Sequence, residues 1–474
     1  MDLFTISAVV ISLSALFGYL NVRFLKLPNT IGMMVVAILF TLGLFATALV
    51  NEVPLSLAKS LIASVDFETV LLEVMLGFLL FAGAMHTNFD QLRVQRWPIF
   101  LFATFGVLSS TFLVATLMYF LIPQFGMQAS FIHCLLFGAL ISPTDPIAVL
   151  GILKTCGVPK KLETKIVGES LFNDGVGVVV FMTIMSIAIA GAQPVAEDHA
   201  GPAEDSAINL ADDSPQSELT DSTGSSETEH GAGETEHATD ASVTGVLKLF
   251  VQEVLGGIAW GLILGYGTFK LMKSIDDYEV EVLITLACVM GGYAFALYFH
   301  LSAPLAIVVA GLIVGHDTIR GSAMSEQTES YVDRFWELMD IMMNAILFVL
   351  IGLELLIVSF KTESLEIGAI AIVIVLVSRF LSLLVPVAIF RRRLEFVPHT
   401  LTIMTWGGLR GGISIALALS LRPEMNRELF LTVTYVVVVF SIVFQAMTIG
   451  PLARKLIGSS NSSETTEAIS AGPI

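Results

Sequence analysis

The sequence predicts an all-α polytopic membrane protein, and three observations carry that prediction: its composition, the length of its apolar runs, and the placement of its basic residues. Of 474 residues, 55% are hydrophobic and only 14% are charged, against roughly 25% charged in a typical soluble domain. Mean hydropathy is +0.82, so most of the chain must face something other than water. That argues against a soluble enzyme and against a disordered chain. The 42 acidic residues against 24 basic ones argue against nucleic-acid binding, which needs Lys/Arg clusters. Cys134, Cys156 and Cys288 are too few and too scattered for a disulfide framework or a zinc site.

A helix that crosses the hydrocarbon needs about 20 mostly apolar residues. About thirteen runs qualify: 4–22, 29–50, 67–85, 98–122, 129–153, 165–192, 245–270, 279–299, 301–316, 334–359, 366–390, 400–421 and 428–452. Strands of a β-barrel would be half as long and would alternate in polarity, which these runs do not. Gly and Ala inside them, as in Gly261–Gly267, suit helices that pack closely in lipid. Basic residues cluster in and around the loops after odd-numbered spans, with Arg23, Lys26, Arg93, Arg96, Lys160 and Lys161 in the first half and Arg391 to Arg393 in the second. Loops after even-numbered spans carry only Lys59, Lys248, Lys361, Arg422 and Arg427. This alternation places the N-terminus outside and the C-terminus in the cytoplasm. Only Met1 and Asp2 precede the first span and its charges follow it, so it reads as an anchor rather than a signal peptide.

The spans divide the chain into a first membrane half at 1–193, an acidic external loop at 194–243, a second half at 244–457 opened by the seventh span as a linker helix, and a short polar cytoplasmic tail at 458–474. From Pro194 to Asp240 the chain carries thirteen carboxylates and no Lys or Arg. Such a stretch cannot bury enough surface to fold, and an acidic solvated tether is its plainest reading. Concentrating cations or sensing pH through His199, His230 and His237 is the sharper alternative.

A charge at the bilayer centre costs at least ~2.5–3.5 kcal/mol on insertion scales, so each charge within a span asks for a reason. The fifth span reads Leu140-Ile-Ser-Pro-Thr-Asp-Pro-Ile-Ala-Val149. Its two prolines remove backbone donors on either side of Thr144-Asp145 and force the helix open. Freed carbonyls and an aspartate at membrane depth are tolerated only beside a polar cavity. Hard oxygen ligands of that kind suit Na⁺ or Li⁺. The sixth span begins Gly168-Glu-Ser-Leu-Phe-Asn-Asp-Gly-Val-Gly177. On a helix Glu169, Asn173 and Gly177 form one row and Ser170 and Asp174 the next. Desolvation penalises a bare carboxylate, so Asp174 can hold either a proton or a cation, the chemistry that a proton-coupled carrier needs.

In the twelfth span, Trp406-Gly-Gly-Leu-Arg-Gly-Gly-Ile-Ser414 surrounds Arg410 with four glycines that weaken the helix. With the seventh span as a linker, spans 1–6 and 8–13 form two inverted six-helix repeats in which the interrupted fifth and twelfth helices correspond. Paired interruptions of this kind point to a transporter's binding site. Arg410 can offset the C-terminal partial charges of the half-helices there. Arg379, mid-way along the eleventh span, must pair when buried. Glu169 is its candidate partner, with Arg410 the alternative arginine for that role. Glu73 in the third span is a further candidate site residue, and Glu354 in the tenth a weaker one.

In order along the chain, Ser142-Pro-Thr-Asp-Pro146, Gly168-Glu-Ser-Leu-Phe-Asn-Asp-Gly175 and Gly407-Gly-Leu-Arg-Gly-Gly412 resemble the monovalent cation–proton antiporters, in particular the group of sodium–proton exchangers. The resemblance implies a homodimeric carrier with thirteen helices, crossed fifth and twelfth helices and an elevator-like alternation of access, seated in the cell (inner) membrane. It implies that Asp174 carries cation or proton with Asn173 beside it. Asp145, the Thr144 carbonyl and Ser170 would complete the Na⁺ shell, and Glu169 with Arg379 would form a structural ion pair. An Asn-Asp pair, where electrogenic relatives have Asp-Asp, implies one-for-one electroneutral exchange. Two departures stand out: Ala82 follows Leu79-Leu-Phe81 where many relatives have an acid, and the acidic loop is long.

The expected partners are thus monovalent cations, protons, lipid and a second subunit, with no cofactor and no nucleic acid. K⁺ in place of Na⁺ is the main alternative, because spacing does not reveal cavity size. A cation channel would show a filter-like loop, and none appears. An intramembrane aspartyl protease could use Asp145 and Asp174 as a dyad. It lacks a Gly-x-Gly-Asp stretch, since Asp174-Gly-Val-Gly177 runs in the reverse order.

Overall fold

A computed structural model of the chain describes residues 3–63, 66–87, 89–145, 149, 153, 156, 158–192, 243–316, 325–358, 360–390 and 397–457. The acidic stretch from Pro194 to Asp240, the tail from 458 onward, Pro146 and Arg391 to Arg393 lie outside the described residues. An apolar segment in lipid satisfies its backbone groups only internally, so each run becomes helix. In chain order the helices are α1 (Leu3–Leu20), α2 (Asn29–Ala48), α3 (Val53–Ala63), α4 (Val70–Met85), α5 (Arg96–Leu121), α6 (Phe131–Ile141), α7 (Lys160–Ala192) and α8 (Val243–Met272). They continue as α9 (Tyr278–Tyr298), α10 (Ala303–Val314), α11 (Glu326–Glu354), α12 (Thr362–Phe390), α13 (Thr400–Trp406), α14 (Gly412–Leu419) and α15 (Arg427–Val439). Among the described residues nine helical segments are long and apolar enough to cross a membrane, while α4, α6 and α10 are shorter apolar helices.

Polar residues set several of the helix starts. Ser130 Oγ accepts from the His133 N–H to cap α6, and Asp277 Oδ1 accepts from the Glu279 and Val280 N–H groups to cap α9. Ser325 caps α11, which therefore begins eight residues before the apolar run at 334. Hydropathy misses these first turns because they hold Glu326, Glu329, Asp333 and Arg334, yet Thr328 and Val332 within them are buried. The helix α3 also falls outside the predicted spans.

Two helices break in mid-run. The run at 129–153 leaves the helix at Ser142–Asp145, with Val149 and Leu153 helical again, and the run at 400–421 opens between α13 and α14. Among the described residues the chain instead widens into a π turn at three places: Asn21–Leu25, Val70–Met75 at the start of α4, and Phe440–Gln445 after α15.

Close packing holds the scaffold beside the breaks. Glycines 257, 261 and 265 of α8 lie on α10. A methyl on Gly257 would sit 2.6 Å from the Ser302 carbonyl oxygen, and one on Gly265 would sit 2.9 Å from the Ala310 Cα. The seventh run thus packs directly on α10 through this glycine face. One continuous apolar core joins α4, α5, α6, α7, α10, α11, α14 and α15. The two helix breaks meet inside this frame.

Candidate functional site

The two open segments cross and bind each other through their backbones. The Asp145 N–H donates to the Leu409 carbonyl at 2.8 Å, across the gap between α6 and α14. Arg410 Nη1 donates to the carbonyls of Ser142 and Pro143, the latter at 2.8 Å. These are the last carbonyls of a broken helix, where partial negative charge gathers, and a fully buried guanidinium faces them. Its own N–H is anchored by Ser441 Oγ in the π turn after α15 at 2.9 Å. The glycines of the twelfth run are needed for closeness: a methyl on Gly411 would lie 2.6 Å from Asp145 Oδ2, and one on Gly408 would lie 2.8 Å from Arg379 Nε.

On α7, Asn173 straps the α6 break in place. Its Oδ1 accepts from the Thr144 N–H at 3.1 Å and its Nδ2 donates to Thr144 Oγ1 at 2.8 Å. Nδ2 also reaches Glu169 Oε1 at 3.4 Å, and Ser170 Oγ shares a hydrogen bond with Thr144 Oγ1 at 2.9 Å. Glu169 and Arg379 form a two-pronged ion pair, Nη1 to Oε1 and Nη2 to Oε2, the latter at 2.7 Å. Both are buried, at 1% and 4% exposure, so neither charge has water to fall back on. Arg410, the alternative partner, faces the broken α6 instead.

A cavity of about 60 Å³ opens at the crossing, lined by Asp174, Asp145, Asn344 and Ser414 among apolar neighbours. That is room for a small cation and little water, not for an organic substrate. Five charged side chains meet here: Glu169, Asp145 and Asp174 against Arg379 and Arg410. Within this set the carboxylates outnumber the guanidiniums by one, a difference that a proton or a monovalent cation can make up. Among the described residues no group of three or more His, Cys, Asp or Glu is spaced to hold a metal, so the two aspartates stand as a pair.

The sequence-predicted residues therefore divide. Asp174 and Asp145 line the cavity, whereas Asn173, Ser170 and Thr144 hydrogen-bond one another beside it and hold the break. Glu73 is elsewhere, in a second cavity with Glu253, Tyr293, His300 and Ser302. Glu354 is buried near the end of α11, ten residues beyond Asn344. The reading of the sequence missed Asn344 and Ser414. An amide inside the apolar run Met342-Met343-Asn344-Ala345-Ile346 was the signal for the first.

The sodium/hydrogen exchanger transmembrane family matches residues 11–455. The chain is 44% identical over 454 residues to the Na(+)/H(+) antiporter NhaP of Pseudomonas aeruginosa, covering 95% of this chain and 96% of that protein. It is 29% identical over 443 residues to the Na(+)/H(+) antiporter NhaH of Halobacillus dabanensis, covering 92% and 93%. Its fold is similar to the structure of the sodium proton antiporter MjNhaP1 from Methanocaldococcus jannaschii, with a TM-score of 0.68 at 17% identity over 97% of this chain and 100% of that one. A family match across nearly all of the chain, a relative aligned almost end to end and a shared fold all agree: this chain belongs to the sodium/hydrogen exchanger family.

Proposed function

We propose that the chain is a secondary antiporter that exchanges Na⁺ or Li⁺ for H⁺, one for one, with both ions competing for Asp174. The observation that carries this reading is a cavity of ion size lined by two aspartates, in a set of five whose carboxylates outnumber its guanidiniums by one. A bare cluster would have to move an uncompensated charge through low dielectric, which is costly. Loaded with either Na⁺ or H⁺ the same cluster is neutral, so each loaded form crosses and the empty one does not. That is the physical content of electroneutral exchange without leak. In this reading Asp174 and Asp145 touch the cation and the Thr144 carbonyl faces it. Asn173 and Ser170 hold Thr144, Glu169–Arg379 locks α7 to α12, and Arg410 offsets the carbonyl ends of α6.

The names of the relatives support Na⁺ over K⁺, and no observation favours K⁺. Two inverted halves, 1–193 and 244–457, joined through α8 and the acidic loop, fit the paired breaks. A homodimer in the cell (inner) membrane, N-terminus outside and C-terminus cytoplasmic, completes the proposal.

The test is cation-driven proton release from proteoliposomes with an acid interior and a trapped pH dye. Na⁺, Li⁺ and K⁺ are added in turn, and valinomycin with K⁺ clamps the voltage for the first two. Na⁺ or Li⁺ should discharge the gradient, and Asp174→Asn should abolish that while still folding. A mutant that kept cation-dependent proton release would sink the assignment of Asp174. A response to K⁺ alone would change the substrate.

A further inference from the structure

Asn344 sits in the wall between two cavities. On one side is the cavity of Asp174 and Asp145. On the other is a larger one of about 380 Å³ between α1, α2 and α11, where Ser14, Asn29, Thr30 and Asp340 are the polar lining groups. Asp340 and Asn344 are the polar residues of α11 that line this second space.

The hydrogen bonds of the Asn344 amide are one-sided. Its Nδ2 donates to the Asp340 backbone carbonyl at 2.8 Å and to Asp340 Oδ1 at 3.0 Å, one turn back on the same helix. Both N–H donors are thereby used. The residue is 3% exposed, and among the described residues its Oδ1 meets no hydrogen-bond donor. A buried amide oxygen left unpaired costs free energy, and an apolar side chain would be cheaper in this stretch of α11. Asp340 also fixes the orientation of the amide, because a flipped Asn344 would set oxygen against oxygen. What is left unpaired in the wall between the cavities is a hard, neutral oxygen, the kind of ligand that an alkali cation takes.

We propose that Asn344 is a ligand of the carried cation, supplied from α11, with Asp340 as the residue that positions it. The cation leaves the α1/α2/α11 cavity past the Asn344 oxygen and reaches Asp174 and Asp145 with that oxygen still in its shell. A neutral ligand fits the charge logic of the site, since it adds an oxygen without changing the net charge of the loaded cluster. Asp340 is itself faced by Asp145, Glu337 and His86, so the positioning carboxylate belongs to the same field as the site. This inference rests on the antiport reading and assigns a residue that reading does not need.

The experiment measures Na⁺- and Li⁺-driven proton release in proteoliposomes for wild type, Asn344→Ala and Asn344→Asp, with the membrane potential set by valinomycin. In Asn344→Ala the KM for Na⁺ should rise about tenfold or more, the low end of what a lost contact to a charged group is worth, while the maximal rate is kept. In Asn344→Asp, a near-isosteric change that guards against simple misfolding, the new carboxyl shares a proton with Asp340 and keeps an oxygen in place of Oδ1, so the KM for Na⁺ should stay within about threefold of wild type. An unchanged KM in the alanine variant, a fall in maximal rate alone, or a KM in the aspartate variant raised as far as in the alanine one would each overturn the proposal. If wild type itself releases no protons with any cation, the antiport reading has failed instead, and the two failures are told apart in one assay.

Discussion

Replacing Arg379 by methionine should cost far more than removing a surface charge, and the structure fixes why. Its guanidinium makes two parallel hydrogen bonds to Glu169, and the two side chains are 4% and 1% exposed. Breaking a buried pair by removing one partner is worth about 3–5 kcal/mol, because the survivor stays buried and charged. Arg379→Met leaves Glu169 with only the long 3.4 Å contact from Asn173, so the full penalty applies. In the double variant Glu169→Gln/Arg379→Met no unpaired charge remains, and a neutral side chain of similar shape can still accept from Asn173. The double should therefore be more stable than the sum of the singles, with a coupling of about 2–3 kcal/mol. The assay is denaturant unfolding of purified protein in detergent micelles, followed for the wild type, both singles and the double. Additive losses, or a single variant as stable as wild type, would refute the claim that this pair locks α7 to α12.

Other expectations follow from the same geometry. Gly411→Ala places a methyl 2.6 Å from Asp145 Oδ2 and 2.9 Å from its Cβ, which displaces that carboxylate, so exchange should fall at least about tenfold in the dye assay while expression persists. If proton and cation compete for one carboxylate, the apparent KM for Na⁺ should rise by about tenfold per pH unit on the acid side and level off on the alkaline side. A KM flat with pH would refute competition. Lys361 and Glu428 pair at 2.9 Å on the surface, and the carboxylate holds the Lys361 ammonium above its usual range. Both are solvent-exposed, so Lys361→Ala should leave the melting temperature unchanged at ordinary salt. Finally, Gly261→Leu should loosen α8 from α10, where a methyl at 261 already comes within 2.8 Å of the Val309 Cβ, and should lower yield of folded protein on size exclusion.

Much of the fold was legible because lipid allows so few solutions. Each apolar run had to be helix, and prolines or glycines around a charge had to mark an opening. The pairing of Glu169 with Arg379 could be anticipated, since a guanidinium in mid-span needs a carboxylate, but the choice between Arg379 and Arg410 required the fold. Local spacing placed Asn173 and Ser170 on helix faces with Glu169 and Asp174 but could not show that both hydrogen-bond Thr144 across the break. Asn344 offered only the signal of one uncharged amide in an apolar run, because its neighbours in space come from α4, the break after α6, α7 and α14. Glu73 stood out as a charge in a span, but only packing reveals that its cavity is shared with α8, α9 and α10.

The π turn at Phe440–Gln445 bears on how this chain should be aligned with others. A π turn holds one more residue than an α turn, and an α-helix advances 100° per residue. Deleting one residue there would close the wide turn to an α turn and leave the residues beyond it on the faces they now present. Thr448 would still accept from the Trp406 indole, a contact that, with the Gln445 donation to the Trp406 carbonyl, braces the end of α13 next to the break. Single-residue gaps between this sequence and its relatives should therefore gather at the three wide turns and be scarce in the straight helices. A relative that lacks the extra residue at this place can keep the indole brace of the break unchanged.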